Sequence, residues 1–171
     1  MSGVDEDGVV AASPAALAQE LAGRKCRAVA TRLSADGPTL VLGCDSVLEL
    51  DGEPYGKPRD AAEAVERWRR MRGRSGVLHT GHAVARLDTG TEVGATGSTA
   101  VHFASVDDEE IEAYVATGEP LAVAGAFTLD GLGGAFVRGV EGDPHTVVGL
   151  SLPLLRDLVR EVGVRWTDLW G

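Results

Sequence analysis

The sequence predicts an α/β fold with a mixed sheet flanked by helices, and three observations carry that reading. Capped amphipathic helix starts recur along the chain, at Ser13-Pro14, Asp60 and Asp107. Short apolar, β-branched runs lie between them. Two longer β-patterned segments, Val77–Leu87 and Glu92–Phe103, meet at Asp88-Thr89-Gly90 and read as a long antiparallel hairpin. Helices alternating with short strands indicate parallel neighbours and the hairpin adds antiparallel ones, hence a mixed sheet.

The elements follow in order. The first helix runs from Ser13-Pro14 to about Leu33, with Leu17, Leu21, Ala28 and Val29 on its apolar side and Arg24, Lys25 and Arg27 on its polar side. Thr39–Leu42 is a short buried strand ending at Gly43, which places Asp45 at the strand's end. Val47–Leu50 is the next strand, and Asp51-Gly52 is a tight-turn signal. Asp60 caps a second helix, and Glu63 completes a capping box. Ala61, Ala64, Val65, Trp68 and Met71 repeat at helical spacing. The basic cluster Arg67, Arg69, Arg70, Arg72 and Arg74 suits the negative end of that helix and reads first as a solvated face. After the hairpin, Asp107 opens a helix with acids in its first turn and Gly118 as its stop. Gly125–Gly134 is glycine-rich, Ala135–Val140 is a strand, and Pro153–Val162 is a closing helix.

At 171 residues the chain is sized for one domain, read here as 1–171, with no repeat or linker. Its formal charge of −10 argues against a nucleic-acid polymer as partner, because a phosphate chain needs a basic footprint. A small anionic substrate is compatible if local lysines or a divalent cation offset that field. Cys26 and Cys44 have no metal or redox spacing, which points to reduced thiols and a cytoplasmic setting. No run reaches transmembrane length, so no membrane partner is expected.

One stretch concentrates possible chemistry. Asp45 follows a buried strand, and Lys57 sits between Gly56 and Pro58 on the arm returning from the Asp51-Gly52 turn. A carboxylate and a lysine on neighbouring rigid elements suit metal-assisted attack on a phosphate ester, one handling water or metal and the other phosphate charge. An aspartate at a strand end also serves as a plain cap, and Gly-Lys-Pro as a plain loop. The four histidines lack metal spacing, with His79 and His82 on opposite faces of a strand. The run Gly131–Gly134 is neither a P-loop nor a dinucleotide fingerprint.

Taken in order, Lys25-Cys-Arg-Ala-Val-Ala, Gly43-Cys-Asp-Ser, Leu50-Asp-Gly-Glu, Gly56-Lys-Pro, Thr80-Gly, Val101-His-Phe, Asp107 through Pro120, Ala124-Gly-Ala-Phe, Gly131-Leu-Gly, Glu141-Gly-Asp and Val147 through Pro153 closely resemble the Maf family. Its members are nucleoside triphosphate pyrophosphatases, first named as septum-formation inhibitors. The resemblance covers nearly the whole chain. It implies an elongated, curved sheet with a nucleotide cleft, related to inosine triphosphatases. The implied activity is hydrolysis of a nucleoside triphosphate, standard or not, to the monophosphate and pyrophosphate, a house-cleaning of nucleotide pools that uses a divalent cation, Mg²⁺ or Mn²⁺. A homodimer is compatible with it.

Carried over by position, Asp45 matches the family's proton acceptor and a metal ligand, Lys25 and Lys57 its phosphate-binding lysines, and Glu6 an acidic residue near the metal. Ser46 stands where pyrimidine-specific members have threonine and Asp130 where they have glutamine, which leaves the preferred base open. The family's opening strand and Ser-x-Ser-Pro-Arg-Arg loop are not found. The chain is thus expected to start at the family's second strand, through a misassigned start or a real truncation, with in-frame codons upstream of Met1 encoding the rest. Loss of that arginine grip motivates an alternative: a catalytically impaired nucleotide-binding or division-regulating protein.

Overall fold

The computed structural model describes residues 8–34 and 37–170. Within them α1 spans Pro14–Ala30, β1 Leu40–Leu50, β2 Glu53–Tyr55, α2 Ala61–Met71 and β3 Ser75–Arg86. Then come β4 Thr91–Phe103, α3 Asp108–Ala116, β5 Val137–Glu141, α4 Pro144–Val148 and α5 Leu152–Glu161. Short 3₁₀ turns fill the stretch between α3 and β5.

The strands lie in the order β2-β1-β3-β4-β5, and each described pairing is antiparallel. The α/β class holds, but the sheet is not mixed among the described residues. The reason is topological. Strands β2 and β3, joined through α2, do run in one direction, as strand–helix–strand alternation implies. However, β1 lies between them and opposes both, a split crossover. The hairpin β3–β4 is as expected, and its strands of 12 and 13 residues make the sheet elongated, about 40 Å along the strands.

Two expected strands are one. Strand β1 continues through Gly43 to Leu50, so Asp45 lies mid-strand rather than at a strand's end. Gly43 does not stop the strand; it admits α1. A Cβ there would lie 2.4 Å from the Ala22 carbonyl oxygen, and one at neighbouring Gly81 2.3 Å from that of Ala18. Only glycine permits this approach of helix backbone to sheet. The sequence supplies it at both positions, and Ala18, Ala22 and Cys26 pack there fully buried.

The opposite face carries the larger core. Leu48, Leu50, Leu78, Val101 and Phe103 of the sheet pack against Trp68 and Met71 of α2 and Ile111, Tyr114 and Val115 of α3. Trp68 meets Phe103, Tyr114 and Phe136 edge-on at 5.6–5.8 Å, and its indole N–H donates to the Ala126 carbonyl at 2.7 Å. Further along the same face α5 packs Leu158 and Val162 against Val84.

Local signals set the helix starts. Ser13 caps α1, and Asp107 with Glu110 forms a complete capping box on α3. At α2 the box is shifted. Asp60 accepts from the Glu63 amide, but Glu63 accepts from the Arg59 amide rather than that of Asp60. Helix α4 has no counterpart in the expected elements.

Candidate functional site

Helix α1, strand β1, the end of α4 and the segments after β2 and at Phe127–Asp130 converge on a cavity of about 640 Å³, within the size range of small-molecule sites. It opens along the outer edge of β1. That strand pairs with β2 only through Leu48, Glu49 and Leu50, so among the described residues its 40–47 stretch has no strand partner on that side.

The floor is polar and rigid. Gly43 and Asp45 share a face of β1 by strand alternation, and the glycine brings α1 down onto that face. One turn beyond the contact at Ala22, Lys25 Nζ reaches the Asp45 Oδ1 and forms an ion pair. These side chains are 21% and 13% exposed, so the pair is partly desolvated while still facing the cavity. Ser46 points to the opposite face. The Thr80 hydroxyl donates to the Thr146 carbonyl at 2.7 Å. Thr80 Oγ1 therefore accepts from the Ser46 hydroxyl at 2.8 Å. The cavity wraps the open edge of β1, so both faces contribute to one site.

One wall is the turn after β2. Gly56 and Lys57 line the cavity, with Lys57 exposed. The other wall is the segment Phe127–Asp130, which brings exposed Asp130 to the same space. That segment is tied down by Glu119. Its carboxylate accepts from the Thr128 hydroxyl, the Gly133 and Leu132 amides and the Tyr114 hydroxyl. These donors, the Thr128 hydroxyl foremost, hold its pKa down to about 2. Burial pushes the Tyr114 phenol up to about 12.

Asp45, Lys25, Lys57, Ser46 and Asp130 thus all line one cavity. Glu6 lies outside the described residues. No group of three or more His, Cys, Asp or Glu side chains converges among the described residues. Mg²⁺ is commonly held by one or two carboxylates plus substrate phosphates; Asp45 offers one such hard oxygen donor at the cavity, with one of its oxygens paired to Lys25. The Cys44 thiol also faces the cavity, and its burial pushes its pKa up to about 11, which keeps it a neutral thiol.

Sequence reasoning missed several contributors. Thr128, Leu129 and the Val147–Gly149 end of α4 line the cavity. Asp143-Pro144 is a cap-and-proline start that signals α4. Arg67 belongs to the cluster read as solvated, yet its side chain is only 10% exposed and turned inward. Arg69, Arg70 and Arg74 are exposed and Arg72 is half-buried, Arg69 and Arg72 pairing with Asp108 and Arg74 with Asp51.

A carboxylate and two lysines thus meet at one cavity beside the open edge of a helix-flanked antiparallel sheet. The family model described as Maf-like protein matches residues 1–162. A nucleoside triphosphate pyrophosphatase of Salinispora tropica is 59% identical over 173 residues, covering 100% of this chain and 76% of that protein. One of Streptomyces coelicolor is 55% identical, covering 100% of this chain and 82% of its own length, and one of Rhodococcus opacus is 49% identical, covering 100% and 85%. The chain belongs to the Maf-like protein family.

Proposed function

We propose that the protein is a nucleoside triphosphate pyrophosphatase, a hydrolase of phosphoric anhydrides, with Asp45 as its central catalytic residue. The observation that carries this reading is the meeting of Asp45, Lys25 and Lys57 at one cavity, in a chain so similar to proteins of that name. Water is split across the α–β anhydride: one phosphorus gains hydroxyl, the bridging oxygen leaves with the other phosphate group, and Asp45 takes the water's proton. Lys25 pairs with that carboxylate and shares its charge with the arriving phosphates. Lys57 clamps the triphosphate from the facing wall. A bound divalent cation, Mg²⁺ or Mn²⁺, would be held by Asp45 and substrate phosphates and would polarise the phosphoryl oxygens. Asp130 and Ser46 line the same cavity, which supports a role for them at the nucleoside end. No described helix is long and apolar enough to cross a membrane. The impaired-regulator alternative is not favoured, because the carboxylate and both lysines remain grouped.

Pyrophosphate release over a panel of nucleoside triphosphates, with and without Mg²⁺, tests the reading. Asp45→Asn keeps the shape and removes the base, so turnover should vanish with the melting temperature little changed. Wild-type protein that releases no pyrophosphate from any member of the panel would sink the assignment. Asp130→Gln replaces an acceptor by a group that also donates. It should change the ratio of pyrimidine to purine kcat/KM; an unchanged ratio would remove Asp130 from base reading.

A further inference from the structure

We propose that Arg67 and Glu63 are positioning residues for Lys57: from within α2 they hold the backbone from which Lys57 reaches the substrate phosphates. This rests on the function proposed above. Arg67 projects inward from the middle of α2, and one of its nitrogens, Nη1, donates to the Gly56 carbonyl at 2.5 Å. The other, Nη2, donates to Glu63 at 2.6 Å and leans on the Lys57 carbonyl at 3.4 Å. The guanidinium carbon lies 5.3 Å from the centroid of the Tyr55 ring, so the cation is sandwiched between β2 and the turn that follows. Glu63 is itself fixed. The Arg59 amide, then the Arg59 and Arg67 side chains, hold its pKa down to about 2, so it stays ionised across the working pH range.

The carbonyls chosen are the significant point. Gly56 and Lys57 supply them, and Gly56 O also accepts the Gly125 amide at 3.1 Å. One carbonyl therefore joins the Lys57 wall to the segment leading into the Phe127–Asp130 wall, and Arg67 polarises that junction. The Lys57 side chain is exposed and makes no ion pair among the described residues, so its ammonium is aimed by its backbone alone. A planar fork can hold two carbonyls and a carboxylate together; a lysine at position 67 keeps the charge but cannot span them.

Arg67→Lys and Glu63→Gln, each in the wild-type and Lys57→Ala backgrounds, form double-mutant cycles that test the proposal. With Lys57 present, Arg67→Lys should lower kcat/KM for the triphosphate about tenfold, the loss of roughly one charge-assisted contact, and mainly through KM. With Lys57 already replaced by alanine, the same change should cost less than about twofold, since nothing remains to aim. Equal losses in both backgrounds, or no loss in either, would overturn the proposal and return Arg67 to core filling. Glu63→Gln should repeat the pattern more weakly. Hydrogen exchange at the Gly125 amide gives a readout without substrate. It should speed up in Arg67→Lys while amides of β3 stay protected, and unchanged exchange would overturn the clamp even if wild-type protein proved inactive, an outcome that would separately refute the enzyme reading.

Discussion

On one face of the sheet, α1 rests directly on Gly43 and Gly81, its backbone at Ala18, Gln19 and Ala22 against theirs. On the other, α2 and α3 press Trp68, Tyr114 and Ile111 into a bed of leucine, valine and phenylalanine. The first contact has no spare volume, and its precision sets the Lys25–Asp45 pair. The second is held by large apolar area, which stabilises the domain but sets the cleft less directly. Adding atoms should harm the first face, and removing them should harm the second.

The largest effect is expected from Trp68→Ala. It deletes the ring on which three aromatic contacts converge and leaves the Ala126 carbonyl without its indole donor. The loss should be about 3–5 kcal/mol by denaturant titration. A cost under about 1 kcal/mol would mean that this face is not where the apolar stabilisation resides.

Gly81→Ala adds a single methyl group, yet no flexible side-chain end can yield to it, because the opposing atoms are backbone of Ala18 and Gln19. A loss of about 1–3 kcal/mol is expected from such overpacking. Pyrophosphate release should fall further than stability alone explains, since α1 must lift and carry Lys25 with it. Unchanged activity in a folded variant would break the link between that glycine and the site.

His82 bridges the two faces and offers a pH test. Its ring is buried, with Nδ1–H donating to the Thr80 carbonyl and Nε2 accepting the Ser151 amide at the start of α5. Its own carbonyl accepts from Gln19 of α1. Burial lowers its pKa from the ordinary 6.5. The unfolded chain therefore binds a proton that the folded protein refuses, and stability falls as pH drops below about 6.5, by up to about 1.4 kcal/mol per pH unit. The carboxylates Glu63 and Glu119, held near 2, give way only below their ordinary 4.5, at lower pH. Urea midpoints followed from pH 7.5 to 5 should show the slope in wild type and not in His82→Gln. A flat wild-type profile would contradict the tautomer the contacts impose.

Ile111→Leu should be the mildest change, under about 1.5 kcal/mol, because a volume-conserving exchange lets the aromatic face repack. If it costs more than Gly81→Ala, the contrast between the faces is reversed.

What the sequence made legible was mostly local. The helix start at Asp107, the Asp51-Gly52 turn and the hairpin of Val77–Leu87 with Glu92–Phe103 depend on neighbours a few residues apart, and each appears as expected, whereas the box expected at Asp60 and Glu63 is shifted by one residue. Gly43 was read as a strand end because its real constraint, the Ala22 backbone, comes from an element twenty-one residues upstream whose docking no pattern states. The mixed sheet failed for a related reason: alternation reveals which strands share a direction, not which strand lies between them. At the site, Asp45 and Lys57 stood out by chemistry and Lys25 and Asp130 through family resemblance. Arg67 and Glu119 were hidden, since two partners of each are main-chain groups, which composition cannot display.

The alternation of Asp45 and Ser46 along one uninterrupted strand has a consequence for how this gene can change. Loss or gain of one codon between Leu40 and Ser46 would rotate every later side chain of β1 to the other face. The carboxylate would turn onto the face of Thr80 and His82, and a serine or a cysteine would meet Lys25. The turns at Asp51-Gly52 and Leu87–Gly90, by contrast, lie at exposed ends of hairpins, where added residues leave the pairing behind them intact. Length variation among descendants of this sequence should accumulate in those turns and be purged from β1, even where point substitutions in that strand survive.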